Sequence, residues 1–174
     1  LPVMLDAVEL LKARGIPLDP CVCLADAVRE EAESACDARG MKTASQDRIG
    51  EVLSKAEAAL VVSGTATLHC ALYDVPMVIL YKTSWLNYAI ARLFVRVPNI
   101  GLVNLVGGKT LVPELIQGDA NPVRVADAVE PMLRSSDLRR EIRSNLAGVR
   151  AKLGPPGASR RAAEAVSRFL LDRN

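Results

Sequence analysis

Three groups of residues carry side chains able to bind or react. The first is Ala59-Leu60-Val61-Val62-Ser63-Gly64-Thr65-Ala66-Thr67, an apolar run that ends in hydroxyls around a glycine. Gly64 permits a tight turn and close backbone approach. Ser63, Thr65 and Thr67 bring hydroxyls, and the N–H groups opening a following helix would point at the same spot. Together these make an anion cradle, with the helix dipole favouring phosphate; Ser-Gly-Thr is equally a common capping loop. The second group is Asn104, Gly107, Gly108, Lys109, Glu114 and Gln117. Asn104 interrupts the apolar run Ile100 to Val106, where a lone amide needs a partner if buried. Glu114 and Gln117, three apart, share one face of a short predicted helix, whose plainer reading is a capped helix with a solvated face. The third is His69, the single histidine. No second ligand stands near it at metal spacing, and nothing places a carboxylate beside it for a Ser–His–Asp arrangement. On residue types alone the pattern allows plain structural capping and anion binding alike, and offers neither metal spacing nor an identifiable nucleophile.

Elements that would position these residues follow from periodicity. The spacing predicts a helix from Leu1 to Arg14, stopped at Gly15, and a short strand over Cys21-Val22-Cys23-Leu24. A charged, Ala-rich helix from Asp26 to Ala38 ends at Arg39-Gly40, and Asp47 caps a helix through Ile49, Val52 and Leu53. Ala58 to Val62 reads as a strand buried on both faces, followed by a helix from Ala66 to Tyr73. Met77 to Tyr81 is a second buried strand, and Thr83 to Val95 another helix. Asn99 to Val106 is expected to be extended, and Pro113-Glu114-Leu115-Ile116 to be a short helix with Pro in its first turn. Helices are predicted from Asn121-Pro122 to Leu133, from Asp137 to Leu153 and from Ser159 to Leu171, the last two separated by Gly154-Pro155-Pro156-Gly157. Short apolar strands alternating with helices imply an α/β unit with a mainly parallel sheet and right-handed crossovers. Ligands in such sheets bind where strands end and helices begin, the edge where Ser63 to Thr67 fall. Two units are expected: residues 1–134 as the α/β domain and residues 135–174 as helices closing it.

Composition narrows the classes. The chain has 174 residues with 22 Lys plus Arg against 20 Asp plus Glu, a formal charge of +2. That balance excludes a strongly basic nucleic-acid binder and an acidic disordered tail. Half the residues are apolar yet only six are aromatic, so the core is Ala, Leu, Val and Ile, which suits helices packed on a buried sheet. Cys21, Cys23, Cys36 and Cys70 match neither zinc spacings nor a dense disulfide framework and read as buried thiols of a reducing compartment. The longest uncharged stretch, Ala58 to Tyr73, is shorter than the roughly 20 apolar residues a spanning helix needs and is broken by Ser63, Gly64, Thr65 and Thr67. No signal peptide pattern is visible. The chain opens at Leu1 rather than Met, inside a predicted helix, as expected of a fragment lacking an N-terminal half. The stretch Trp85 to Arg96 combines aromatics with two Arg; it suits a membrane surface, and equally a core helix or dimer interface.

In combination these segments resemble one family. Ser63-Gly64-Thr65-Ala66-Thr67-Leu68, then Pro76-Met77-Val78 and Tyr81-Lys82, is similar to the lipid-A-disaccharide synthases, as are Leu102-Val103-Asn104, Gly108-Lys109 and Val112-Pro113-Glu114-Leu115-Ile116-Gln117. The likeness runs from about Leu1 to Leu133. It implies the Rossmann-like C-terminal domain of a GT-B glycosyltransferase with a helical C-terminal end. The implied reaction is metal-free, needs no cofactor and inverts the anomeric centre. It joins UDP-2,3-diacylglucosamine to 2,3-diacylglucosamine 1-phosphate, forming a β-1,6 disaccharide and UDP for lipid A biosynthesis. The implied partners are these two substrates and the inner face of the cytoplasmic membrane, as a peripheral protein, with a homodimer compatible and no nucleic acid. The acidic residues expected to catalyse lie in the other half of the family's chains, so no catalytic residue is expected here and this chain alone would be inactive.

Carried over by position, Ser63, Gly64, Thr65 and Thr67 face the diphosphate, while Asn104, Glu114 and Gln117 line the donor pocket. The family pattern continues Thr-Leu-Glu where this chain has Thr67-Leu68-His69. A carboxylate there would accept two ribose hydroxyls and a neutral imidazole only one, so His69 enters as donor-site lining with altered nucleotide affinity. Rival readings are another GT-B enzyme, such as a UDP-GlcNAc 2-epimerase or the transferase that adds GlcNAc to lipid II, and a degenerate domain retained without catalysis. A response-regulator-like module would need a phosphoacceptor Asp at a strand end, and none is offered.

Overall fold

A computed structural model describes residues 1–84, 99–155 and 157–171. In chain order the elements are α1 (Pro2–Ala13), β1 (Cys21–Leu24), α2 (Arg29–Asp37), β2 (Lys42–Ser45), α3 (Ile49–Lys55), β3 (Ala59–Val62), α4 (Ala66–Leu72), β4 (Met77–Tyr81), α5 (Leu102–Gly107), β5 (Glu114–Ile116), α6 (Pro122–Arg134), α7 (Ser136–Leu153) and α8 (Ala158–Leu171), with short 3-10 turns before α2 and α3 and after β5. The expected α/β class is present: parallel strands in sheets flanked by helices. Among the described residues the strands form two sheets, β1–β2 and β3–β4–β5. The expected helix over Thr83 to Val95, including Trp85, falls almost wholly outside the described residues.

β4 is the centre of the larger sheet. Met77, Val78, Ile79 and Leu80 are all buried although alternate residues point to opposite faces, so both faces are covered. β3 pairs with it in parallel from Ala59↔Met77 to Val62↔Leu80, and β5 from Ile79↔Glu114 to Tyr81↔Ile116. The helices fall into two packed groups: α4, α5 and α7 against one another, and α1 along α6, which lies on β4. Arg14 at the end of α1 fastens this second group through Asp127 (2.8 Å) and Glu130 (2.7 Å) of α6. α7 contributes Ile142, Leu146 and Val149 to the main core, while the described side chains of α8 are exposed.

Three expectations are corrected. Residues 102–107 are helical, not extended. A six-residue apolar run cannot be told from a buried helical turn by periodicity, and the turn lets Asn104, which is fully buried, reach the backbone of Leu111 and Val112. Residues 114–116 are a strand, not a helix. Pro113 has no N–H to give, yet its carbonyl accepts from Ile79 N (2.9 Å), and it enters an edge strand where proline is tolerated. Glu114 and Gln117 therefore do not share a helical face. Finally, β2 was not expected at all. Lys42-Thr43-Ala44-Ser45 has no apolar run because it is a half-exposed edge, placed by its pairing with β1.

Candidate functional site

β3 ends at Val62, and the ladder continues one residue further, since Ser63 N donates to Leu80 O (2.9 Å). The chain then breaks upward at Gly64, whose φ of +150° is a conformation side chains rarely adopt, and enters α4. The space above Gly64 is open among the described residues: a Cβ built there would meet none of their atoms within 4 Å. Thr67 explains why the loop holds this shape. Its side chain is fully buried, its hydroxyl donates to Gly64 O (2.7 Å), and its N–H donates to the same carbonyl (3.1 Å). With that carbonyl tied down, the opposite, amide side of the loop is presented outward. Among the described residues the N–H groups of Gly64, Thr65 and Ala66 have no acceptor.

The sequence-derived site residues therefore divide by task. Gly64 and the exposed Thr65 border the open space, with half-buried Ser63 at its floor. Thr67 is turned inward to the Gly64 carbonyl. His69 sits one turn along α4 from Thr65, to whose carbonyl its N–H donates (3.2 Å), and is half-buried. The thiol of Cys70, the next residue, faces the core; burial, with a smaller contribution from Cys23, pushes it up to about 12.

Asn104, Glu114 and Gln117 are brought close to this loop, but their polar atoms are already engaged with the chain. Asn104 Nδ2 donates to Val112 O (2.9 Å) and to Glu114 Oε1 (2.7 Å), while its Oδ1 accepts from Leu111 N (2.8 Å) and Val112 N (3.1 Å). Glu114 also accepts from Ile100 N (2.7 Å) and Gly101 N (3.0 Å). Gln117 clasps Thr83 at both main-chain atoms, accepting from its N–H (2.9 Å) and donating to its carbonyl (3.0 Å). Ser63 Oγ donates to Ile100 O (3.3 Å), which links the two polar groups. Sequence reasoning missed Thr83, Ile100 and Gly101, which take part through the main chain; a glycine between Ile100 and Leu102 is the one signal that could have marked them. No group of three or more His, Cys, Asp or Glu able to hold a metal occurs among the described residues, and no described helix is long and apolar enough to cross a membrane.

What the arrangement can do is accept an anion: open space above a glycine turn, three unengaged amides and the Thr65 hydroxyl at the C-terminal end of a parallel strand. Comparison with known proteins identifies the family. A family model described as lipid-A-disaccharide synthetase matches residues 2–169. A lipid-A-disaccharide synthase of Syntrophus aciditrophicus (strain SB) is 41% identical over 167 residues, covering 94% of this chain and 43% of the relative. That of Anaeromyxobacter sp. (strain K) is 49% identical over 119 residues, 68% of this chain and 31% of the relative. That of Myxococcus xanthus (strain DK1622) is 37% identical over 172 residues, 98% and 45%. The chain spans less than half the length of these curated relatives. It belongs to the lipid-A-disaccharide synthase family.

Proposed function

We propose that this chain is the donor-binding half of a lipid-A-disaccharide synthase, a glycosyltransferase that moves diacylglucosamine from UDP-2,3-diacylglucosamine to 2,3-diacylglucosamine 1-phosphate and releases UDP. Residues 1–134 are the nucleotide-sugar domain on this reading, and 135–174 close it. The observation that carries it is the Ser63–Gly64–Thr65 turn, with an open face and unengaged amides, in a chain that matches the family along nearly its whole length. In the proposed inverting step the bond between the anomeric carbon and the UDP oxygen breaks as the acceptor's 6-hydroxyl forms the new bond. Amide and hydroxyl donors here would stabilise the charge arriving on the leaving diphosphate. The base that takes the acceptor proton would belong to the other half, so the chain binds donor without turning it over. The acylated substrates place the reaction at a membrane surface, with the protein peripheral on its cytoplasmic side.

His69 favours a second reading, a nucleotide-binding domain whose ribose contact is weakened or lost, because an imidazole offers one acceptor where a carboxylate offers several. Calorimetric titration with UDP, and ADP as control, separates the two. Millimolar or tighter binding selective for UDP, abolished in Gly64→Val while the circular dichroism spectrum is kept, is the expected result. Absence of UDP binding in the folded chain, restored by His69→Glu, would establish the second reading. Equal affinity for UDP and ADP, or an unchanged affinity in Gly64→Val, would remove the turn from the site.

A further inference from the structure

The strand β5 and the residue after it supply two clamps on main chain that is remote in sequence. Glu114 holds Ile100 and Gly101 through both carboxylate oxygens. Gln117, at a φ of +52°, holds Thr83 through both ends of its carboxamide, continuing the β4–β5 ladder beyond Tyr81↔Ile116 with a side chain in place of a strand. Thr83 and Ile100 are the two feet of the stretch that leaves β4 and returns to α5. One of these feet touches the anion-binding turn directly, through Ser63 Oγ and Ile100 O.

We propose that Glu114 is a positioning residue: it sets the height and orientation of the Ser63–Gly64–Thr65 turn through the main chain at Ile100–Gly101, rather than by touching the nucleotide-sugar. The inference rests on the donor-site reading above. Two features carry it. Glu114 receives three N–H donors, from Ile100, Gly101 and Asn104, which fill three of the roughly four acceptor positions of a carboxylate. Gly101 allows the approach: its φ is an ordinary −72°, but a Cβ there would stand 3.1 Å from Glu114 Oε1 and 2.4 Å from the Ile79 Cδ1 tip. A carboxamide at position 114 would turn an N–H toward an N–H at one of the two backbone contacts, so Glu114→Gln breaks the clamp while keeping its shape.

The experiment has one arm without ligand and one with it. Amide hydrogen exchange in the free chain is expected to rise tenfold or more in Glu114→Gln at Ile100 and Gly101, and also at Ser63 and Thr67, with α6 and α7 unchanged. UDP affinity is expected to fall about tenfold. Gly101→Ala, which crowds the same carboxylate from the other side, should give the same pattern, and the double variant should bind UDP no more weakly than Glu114→Gln. Gln117→Met, which releases only Thr83, should raise exchange at Thr83 and leave Ser63 and Thr67 unchanged, and Gly101→Ala keeps the test open if Glu114→Gln does not fold. Weakened UDP binding with unaltered exchange at Ser63 and Thr67 would mean direct contact and overturns the proposal, as does a uniform rise in exchange over the whole chain. If the unaltered chain fails to bind UDP the donor-site reading falls, while exchange at Ser63 and Thr67 still decides the positioning role.

Discussion

Cys70 shows how one side chain ties the turn to the core. It sits on the buried side of α4, opposite the face that carries Thr65 and His69, and its thiol is raised from 9.0 to about 12 mainly by burial. The folded chain thus keeps a proton that the unfolded chain gives up. Stability from this group is fully present below about pH 9 and is lost as pH rises toward about 12, with a slope of up to ~1.4 kcal/mol per pH unit. Urea midpoints measured between neutral pH and pH 11 should fall more steeply for the parent chain than for Cys70→Ala; parallel curves would show that the thiol ionises without unfolding. Thr67 illustrates a different economy. Its type suggested a phosphate contact, and in the fold its hydroxyl holds the Gly64 carbonyl, a contact that a reading of residue types alone does not distinguish from the first.

At the scale of elements, the β4–α5–β5 region depends on a single amide. Asn104 lies at the centre of α5 and satisfies four hydrogen bonds that join α5 to residues 111–114. Asn104→Leu keeps the volume but strands the N–H groups of Leu111 and Val112 and the Val112 carbonyl. Each unsatisfied buried group costs about 1–3 kcal/mol, so a loss of about 3 kcal/mol or more is expected, seen as a lower urea midpoint at unchanged slope. A loss below about 1 kcal/mol would mean that water replaces the amide. The same amide explains why the Ile100–Val106 run was misread. Its apolar pattern suits a strand or a buried turn equally, and the choice is made by where the amide finds partners, seven to ten residues away. β3 and β4 were legible because continuous apolar runs bounded by turns have one stable use in this fold class.

For the whole molecule, α1 is the joint between two cores. Leu5 packs with Cys36 and Met41 beside β1, whereas Ala7 and Leu11 belong to the main cluster around β4. All three are essentially buried; Ala7 and Leu11 share a face and Leu5 lies on another, so the helix stabilises both sheets from two sides. Truncation of either leucine should cost roughly 2–5 kcal/mol, but with different reach. Leu5→Ala should raise hydrogen exchange in β1, β2 and α2 while β4 and α6 remain protected; Leu11→Ala should lower the thermal midpoint of the entire chain. Equal protection loss everywhere in Leu5→Ala would show the two cores to be one cooperative unit.

Residue order alone determined the α/β class, the positions of β3 and β4, the Ser63–Gly64–Thr65 turn at a strand end and the family likeness; of the two strands expected to be buried on both faces only β4 is, since β3 is half-buried and its Val62 is exposed. These depend on local properties: apolar runs, turn chemistry and a short motif whose members are neighbours in the chain. The tertiary structure decided which of the polar residues face the open space and which brace it. Glu114 and Gln117 were given a helical face they do not have, because β5 is a strand only by virtue of pairing with β4. Likewise β2 exists only beside β1. Hydrogen bonds between residues 14 or 34 positions apart, such as Glu114 to Ile100 and Gln117 to Thr83, leave no periodic trace in a sequence, and it is those bonds that tie the two side chains to the main chain.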